Sequence, residues 1–185
     1  MKICTAFVLL VNLYISITFI SMLSIVKVPT ESLRQKSIDI DPALILKDEI
    51  QNLINDMAPT MYSDDGIGLA APQVGKNIRL CVIGKEALKF DKKNKLPFED
   101  LVLINPVWQK TSRKTFVEVE GCLSVPKTYG KVRRCRNIDV TAYDKNGKEL
   151  KFLANDFFAR VIQHEVDHLD GVLFIDKAKG IYTIE

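Results

Sequence analysis

The chain reads as an α+β fold. Strand-like runs follow one another, two helical stretches stand apart from them, and there is no regular alternation of strand and helix. At 185 residues it is long enough for one domain with a real core and too short for two ordinary ones. The first helix starts at Asp41-Pro42, with Asp as N-cap and Pro at the first helical position. Leu46, Ile50, Leu53, Ile54, Met57 and Met61 then recur at helical spacing as a core stripe. Pro59 should kink or tighten its end, and Ser63-Asp64-Asp65-Gly66 closes it. The next segment, residues 66–73, is too small and glycine-rich for an ordinary core strand. Residues 78–83, 101–105 and 115–119 read as strands, the second stopped by Pro106, with a charged loop over 91–100. Strands 138–143 and 148–153 flank an Asn146-Gly147 hairpin signal. Asn155 or Asp156 caps a second helix, whose apolar contacts come from Phe158, Val161, Ile162 and Leu169 and which Asp170-Gly171 ends.

Composition narrows the function. Apolar residues make up 47% and charged residues 26%, an ordinary globular profile. The net charge of +3 is too balanced for a nucleic-acid-binding footprint, so no sequence-specific nucleic acid is expected. Five basic residues between Lys127 and Arg136 read as a solvated strand face. Cys4, Cys81, Cys122 and Cys135 form no C-x-x-C pair and no disulfide framework, which points to a reducing compartment. Cys81 and Cys135 read as buried thiols.

The division expected is an apolar leader over 1–22 and one catalytic domain over 23–185. Residues 3–26 carry no charge and are long enough to span a bilayer. Their tail, residues 23–29, also reads as the first strand of the domain. The leader is an upstream extension before Met22, a membrane anchor or a cleaved signal. The first is favoured, with a cytoplasmic location. Membrane anchoring or organelle targeting through residues 1–22 is the alternative.

The chemistry concentrates at the only two histidines, His164 and His168, in Gln163-His164-Glu165-Val166-Asp167-His168. On a helix, residues four apart share a face, so both imidazoles can reach one metal ion. Glu165 stands where a general base for the metal's water belongs. A catalytic site of this kind needs a third protein ligand, and no third histidine exists. The candidates are a carboxylate or a cysteine. Cys122 is the sharpest, in Glu120-Gly121-Cys122-Leu123-Ser124, although a cysteine considered alone is more often a buried thiol. A Cys-His-His set suits ferrous iron, zinc, nickel or cobalt.

Three segments together resemble the signature motifs of peptide deformylases, in that family's order: Gly66-Ile67-Gly68-Leu69-Ala70-Ala71-Pro72-Gln73, Glu120-Gly121-Cys122-Leu123-Ser124 and Gln163-His164-Glu165-Val166-Asp167-His168-Leu169. The likeness runs from about Ile25 to Asp176. It implies antiparallel sheets packed around a C-terminal helix that carries the metal site, plus one N-terminal helix. It also implies removal of the formyl group from N-formylmethionine of nascent polypeptides, at the ribosome, with release of formate. By the same resemblance Cys122, His164 and His168 hold one divalent metal, ferrous iron first among the four. A metal lowers the pKa of its bound water, and the resulting hydroxide attacks the formyl carbon. Glu165 acts as general base and then general acid. Gln73 and the backbone N–H of Leu123 face the developing oxyanion.

Gly66 and Gly68 are expected to let an extended peptide approach their backbone. Tyr129 occupies a position where many bacterial members carry arginine, so it should touch the residues after methionine. Glu120 either supports a ligand from behind or is solvated, Asp167 reads as a surface or cap residue, and Gln163 as a support for the first ligand. The family also suggests an ion pair between Asp65 and Arg134. A monomer is expected, since no apolar helix stripe is left over. A zinc endopeptidase using the same helix motif, or a metal-stabilised module without turnover, are the competing readings. The first leaves Cys122 and Gln73 unexplained, and the second gives Glu165 no purpose.

Overall fold

The computed structural model describes residues 22–89 and 96–185. Residues 1–21 of the expected leader and part of the charged loop therefore lie outside the described residues. Asp41-Pro42 opens only a 3-10 turn over Pro42–Leu44, with the Asp41 carboxylate accepting from the Ala43 N–H. The long helix α1 begins later, at Asp48–Ser63. Its first turn carries Asp48 and Glu49, which suit the positive end of the helix dipole. It continues past Pro59 to Ser63.

Strand β1 (Gly68–Ala70) lies inside the segment that looked unsuited to a strand. Then come β2 (Leu80–Ile83), the short helix α2 (Lys85–Leu88), and β3 (Leu101–Lys110). β4 (Thr115–Cys122) and β5 (Val125–Cys135) form a hairpin, as do β6 (Asn137–Tyr143) and β7 (Glu149–Asn155). Helix α3 (Asp156–Leu169) carries the histidines, and α4 (Phe174–Lys177) and β8 (Lys179–Thr183) finish the chain. Among the described residues the strands form two antiparallel sheets, one ordered β1-β2-β3-β6-β7 and the other β4-β5-β8.

Pro106 does not stop its strand. The ladder with β6 shifts register between Ile104 and Val107, so the missing proline N–H falls where no ladder bond is needed. Asn105 takes φ 50° there, and its side chain bonds both the N–H and the C=O of Ile40 at 2.8 and 2.7 Å.

Strand β2 of the larger sheet is buried on both faces. Along β2, Leu80 and Val82 pack with Met57, Met61 and Leu69 below α1. Cys81 and Ile83 point the other way, against Phe158, Ile162 and Val166 of α3. The period-two side-chain alternation of one strand thus feeds two cores. A third apolar cluster joins Val125 and Val132 of β5 to Leu173 and Phe174. Residues 23–29 are not a strand. They run instead as a strap: Leu23 N–H donates to Thr60 Oγ1, Val26 N–H to Gln73 O, and Val28 N–H to Ser124 O, at 2.8–2.9 Å.

Candidate metal centre and active site

Helix α3 is buried along most of its length. It presents His164 and His168 on one face with ring centroids 5.1 Å apart. The β4–β5 turn brings Cys122 to them, and its Sγ lies 3.2 Å from His168 Nε2. One ligand atom from each of Cys122, His164 and His168 falls within 4.8 Å of the others. Ligands around a tetrahedral ion with bonds of about 2.0–2.3 Å are separated by roughly 3.3–3.6 Å, so the trio fits one divalent ion. His168 Nδ1 is buried without a hydrogen-bond partner among the described residues. Burial, and then the neighbouring His164, hold His168 well below the usual imidazole range, the neutral state a ligand needs.

His164 is oriented from behind. Its Nδ1–H donates to Glu120 Oε2 at 2.9 Å, since a carboxylate can only accept, and Nε2 is left for the ligand cluster. Glu120 also accepts from Arg134 Nε and Nη2 at 2.9 and 2.8 Å and from Arg160 Nη1 at 2.5 Å. Burial works against its charge, yet the bonds from Arg134 and His164 prevail and hold the carboxyl well below the usual carboxylate range. Arg134 continues to Asp167 Oδ2 at 2.5 Å, and Lys177 closes the chain on Asp167 Oδ1 at 2.6 Å.

This network corrects three expectations. Arg134 is 3% exposed and pairs with Glu120 and Asp167, whereas Asp65 is exposed and takes no part. Asp167 is buried rather than a surface cap. The basic run is solvated except at Arg134, which the alternation of β5 turns inward while Lys127, Lys131, Arg133 and Arg136 stay exposed. Glu120 is the support from behind, not a solvated strand end. Arg160 escaped the sequence reading. Its one signal was its place one turn before His164, on the helix face that also carries Gln163 and Asp167. Gln163 joins α3 to β5 by bonding both the N–H and the C=O of Cys135, at 3.0 and 2.8 Å.

Gln73 is aimed by its own neighbours. Its Oε1 accepts the Ala70 N–H at 2.9 Å, which turns the amide nitrogen toward Ser124 Oγ at 3.2 Å and Cys122 Sγ at 3.5 Å. Leu123 occupies the tight turn that follows Cys122, with its side chain against Gly66. Glu165 is 3% exposed, and its Oε2 has no partner among the described residues. Burial pushes this carboxyl up to about 7, against the pull of His164.

The glycines also have a packing role. A methyl group built on Gly68 would lie 2.7 Å from Glu165 Cδ and 2.9 Å from its Cγ. Gly68 therefore leaves room for the carboxylate. At Gly66 the same space is closed by Met61 O at 2.9 Å and the Leu123 side chain at 3.0 Å. Beside these groups opens a cavity of about 630 Å³, walled by Gly66, Gly68, Tyr129, Phe157, Val161 and Glu165 among others.

The sequence model of the polypeptide deformylase family matches residues 22–183. The chain belongs to the polypeptide deformylase family. It is 46% identical over 137 residues to the peptide deformylase of Microchaete diplosiphon, covering 74% of this chain and 70% of that one. Its fold superposes with a TM-score of 0.73 on the Synechococcus elongatus peptide deformylase crystallised with actinonin, at 41% identity over 85% of this chain and 79% of that one. A class I type b deformylase from Acinetobacter baumannii, crystallised with Met-Ala-Ser bound, gives 0.75 at 27% identity, over 85% and 99% of the two chains. The chain is thus a metal-dependent hydrolase that removes the formyl group from the N-terminus of nascent formylmethionyl peptides. Among the described residues no helix is long and apolar enough to cross a membrane.

Proposed function

We propose that residues 23–185 form the catalytic domain and that Cys122, His164 and His168 hold the metal, with Glu165, Gln73 and Leu123 as the reacting and stabilising groups. The observation that carries this reading is the buried Glu165 carboxyl with one oxygen unpartnered among the described residues, packed against Gly68 and next in the chain to His164 of the ligand trio. When bound, the metal would polarise the formyl oxygen and make water acidic enough to attack near neutral pH. Glu165 takes one proton as the water oxygen bonds to the formyl carbon. The carbonyl oxygen then carries negative charge, and the Gln73 amide with the Leu123 N–H donates to it. Glu165 returns its proton to the amine nitrogen as the C–N bond breaks. Formate and a free N-terminus leave.

The thiolate–imidazole set suits ferrous iron first, with zinc, nickel and cobalt as alternatives, and a thiolate ligand brings sensitivity to oxidation. Metal analysis after anaerobic purification distinguishes them. Gly66, Gly68 and Tyr129 border the path of the peptide beyond formylmethionine. We place the enzyme at the ribosome, as a monomer in the cytoplasm, with residues 1–22 as the part that would redirect it to a membrane or organelle.

The test is formate release from a formyl-methionyl tripeptide. Activity is expected to vanish in Glu165→Ala while the metal stays bound. Cleavage of internal peptide bonds in place of deformylation would overturn the reading.

A further inference from the structure

We infer that Tyr182, in the C-terminal strand, is a positioning residue for the substrate groove, acting through Tyr129. Resting on the site assignment above, this makes the chain's last strand part of its peptide selectivity.

Tyr129 borders the same cavity as Cys122 and Glu165. Its ring lies across the α-carbon of Gly121, where an added methyl would sit 2.8 Å from Tyr129 Cε1 and 3.0 Å from Cδ1. Gly121 immediately precedes Cys122, so the ring covers the backbone that delivers this ligand. On its other side, Tyr182 of β8 faces Tyr129 directly in the ladder. The two rings stack at 5.8 Å between centroids and 25° between planes.

This stack does not resemble core packing. Tyr182 is 48% exposed, and Ile181 and Ile184 around it are also exposed. Without Tyr182, the Tyr129 ring is free to swing off Gly121 into water. With it, the pair forms a flat aromatic wall beginning at the cavity edge. Val119, 47% exposed, lies on the same cavity edge. An aromatic and aliphatic wall favours apolar side chains on the peptide residues that follow formylmethionine.

The experiment compares kcat/KM for formyl-methionine amide with that for a formyl-Met tripeptide carrying a bulky apolar third residue. Tyr182→Ala is expected to lower the tripeptide-to-amide ratio by about two- to tenfold, the range one aromatic stack supports. The change should lie in KM rather than kcat. Tyr182→Phe should restore the ratio, since it keeps the ring. Tyr129→Ala/Tyr182→Ala should be no worse than Tyr129→Ala alone, because the second residue acts only through the first. Ile184→Ala, a neighbouring exposed residue, serves as the control with an unchanged ratio. An unchanged ratio in Tyr182→Ala, or fully additive losses in the double variant, overturns the inference. Absence of turnover in the wild-type protein would instead strike the site assignment, so the two failures are distinguishable.

Discussion

Gly68→Ala tests the catalytic geometry with a single methyl group. Its φ is not in the left-handed region, so alanine meets no backbone strain there. The new methyl would stand 2.7 Å from Glu165 Cδ, whereas relaxed carbon contacts begin near 3.5 Å. The carboxyl must therefore retreat by about 0.8 Å. A misplacement of about 1 Å costs roughly a hundredfold in rate, and a positioned general base contributes about 10²–10⁴-fold. Formate release should fall by about a hundredfold, or about 2.7 kcal/mol of barrier. Stability should change little, because alanine restricts the unfolded chain by about 0.4–1 kcal/mol and so offsets part of the crowding. The assay is kcat/KM by formate release, with bound metal measured on the same sample and a denaturation curve alongside. Gly68→Ala combined with Glu165→Ala should be no slower than Glu165→Ala alone. Activity within about threefold of wild type at full metal content would refute the reasoning. A loss that tracks metal content would refute it equally.

Other outcomes follow from the same geometry. Gln73→Ala should slow turnover by about 2.7–4 kcal/mol while retaining metal, as read by kinetics and metal analysis together. Glu120→Ala strips a carboxylate from two buried arginines and His164. It should cost about 3–5 kcal/mol in urea unfolding and lower metal affinity about 10–100-fold. Double-mutant cycles should show coupling between Glu120 and Arg134 and none between Asp65 and Arg134. Burial, and then the hydrogen bond to Asp100, push the Tyr62 phenol up from 10 to about 12. A group raised on folding stabilises fully below its unfolded value and loses that contribution as pH rises through the folded one. Wild type and Tyr62→Phe should therefore differ most below pH 10 and converge between about pH 10 and 12 in urea midpoints, the gap being small because the side chain is partly exposed.

The parts of the site that are local in the chain were legible in advance. His164 and His168 share a face because a helix has 3.6 residues per turn, and that holds before any partner is known. The Asn146-Gly147 hairpin and the stripe of α1 are local in the same sense. Features that depend on what lies opposite were not legible. Pro106 looks like a strand end until the register shift beside it shows that its N–H is not needed. Arg134 looks like one more surface cation until the alternation of β5 turns it toward Glu120. The strap over 23–28 has strand-like residues but bonds to Thr60, Gln73 and Ser124, three separate points, instead of a sheet edge.

The sequence alone determined the chemistry: one helix face with two imidazoles, a carboxylate beside them, a cysteine after a glycine, and a glutamine closing a glycine-rich segment. The first two follow from residue type and spacing within one helix, while the cysteine and the glutamine take their roles from the likeness to the deformylase motifs. Tertiary structure decided how that chemistry is held. It placed Glu165 against Gly68, hung His164 on Glu120 between two arginines, and laid Tyr182 on Tyr129. Each of these pairs joins residues distant in the chain. A side chain's pairing and burial depend on the surface that folding brings opposite it, and local periodicity carries no record of that surface.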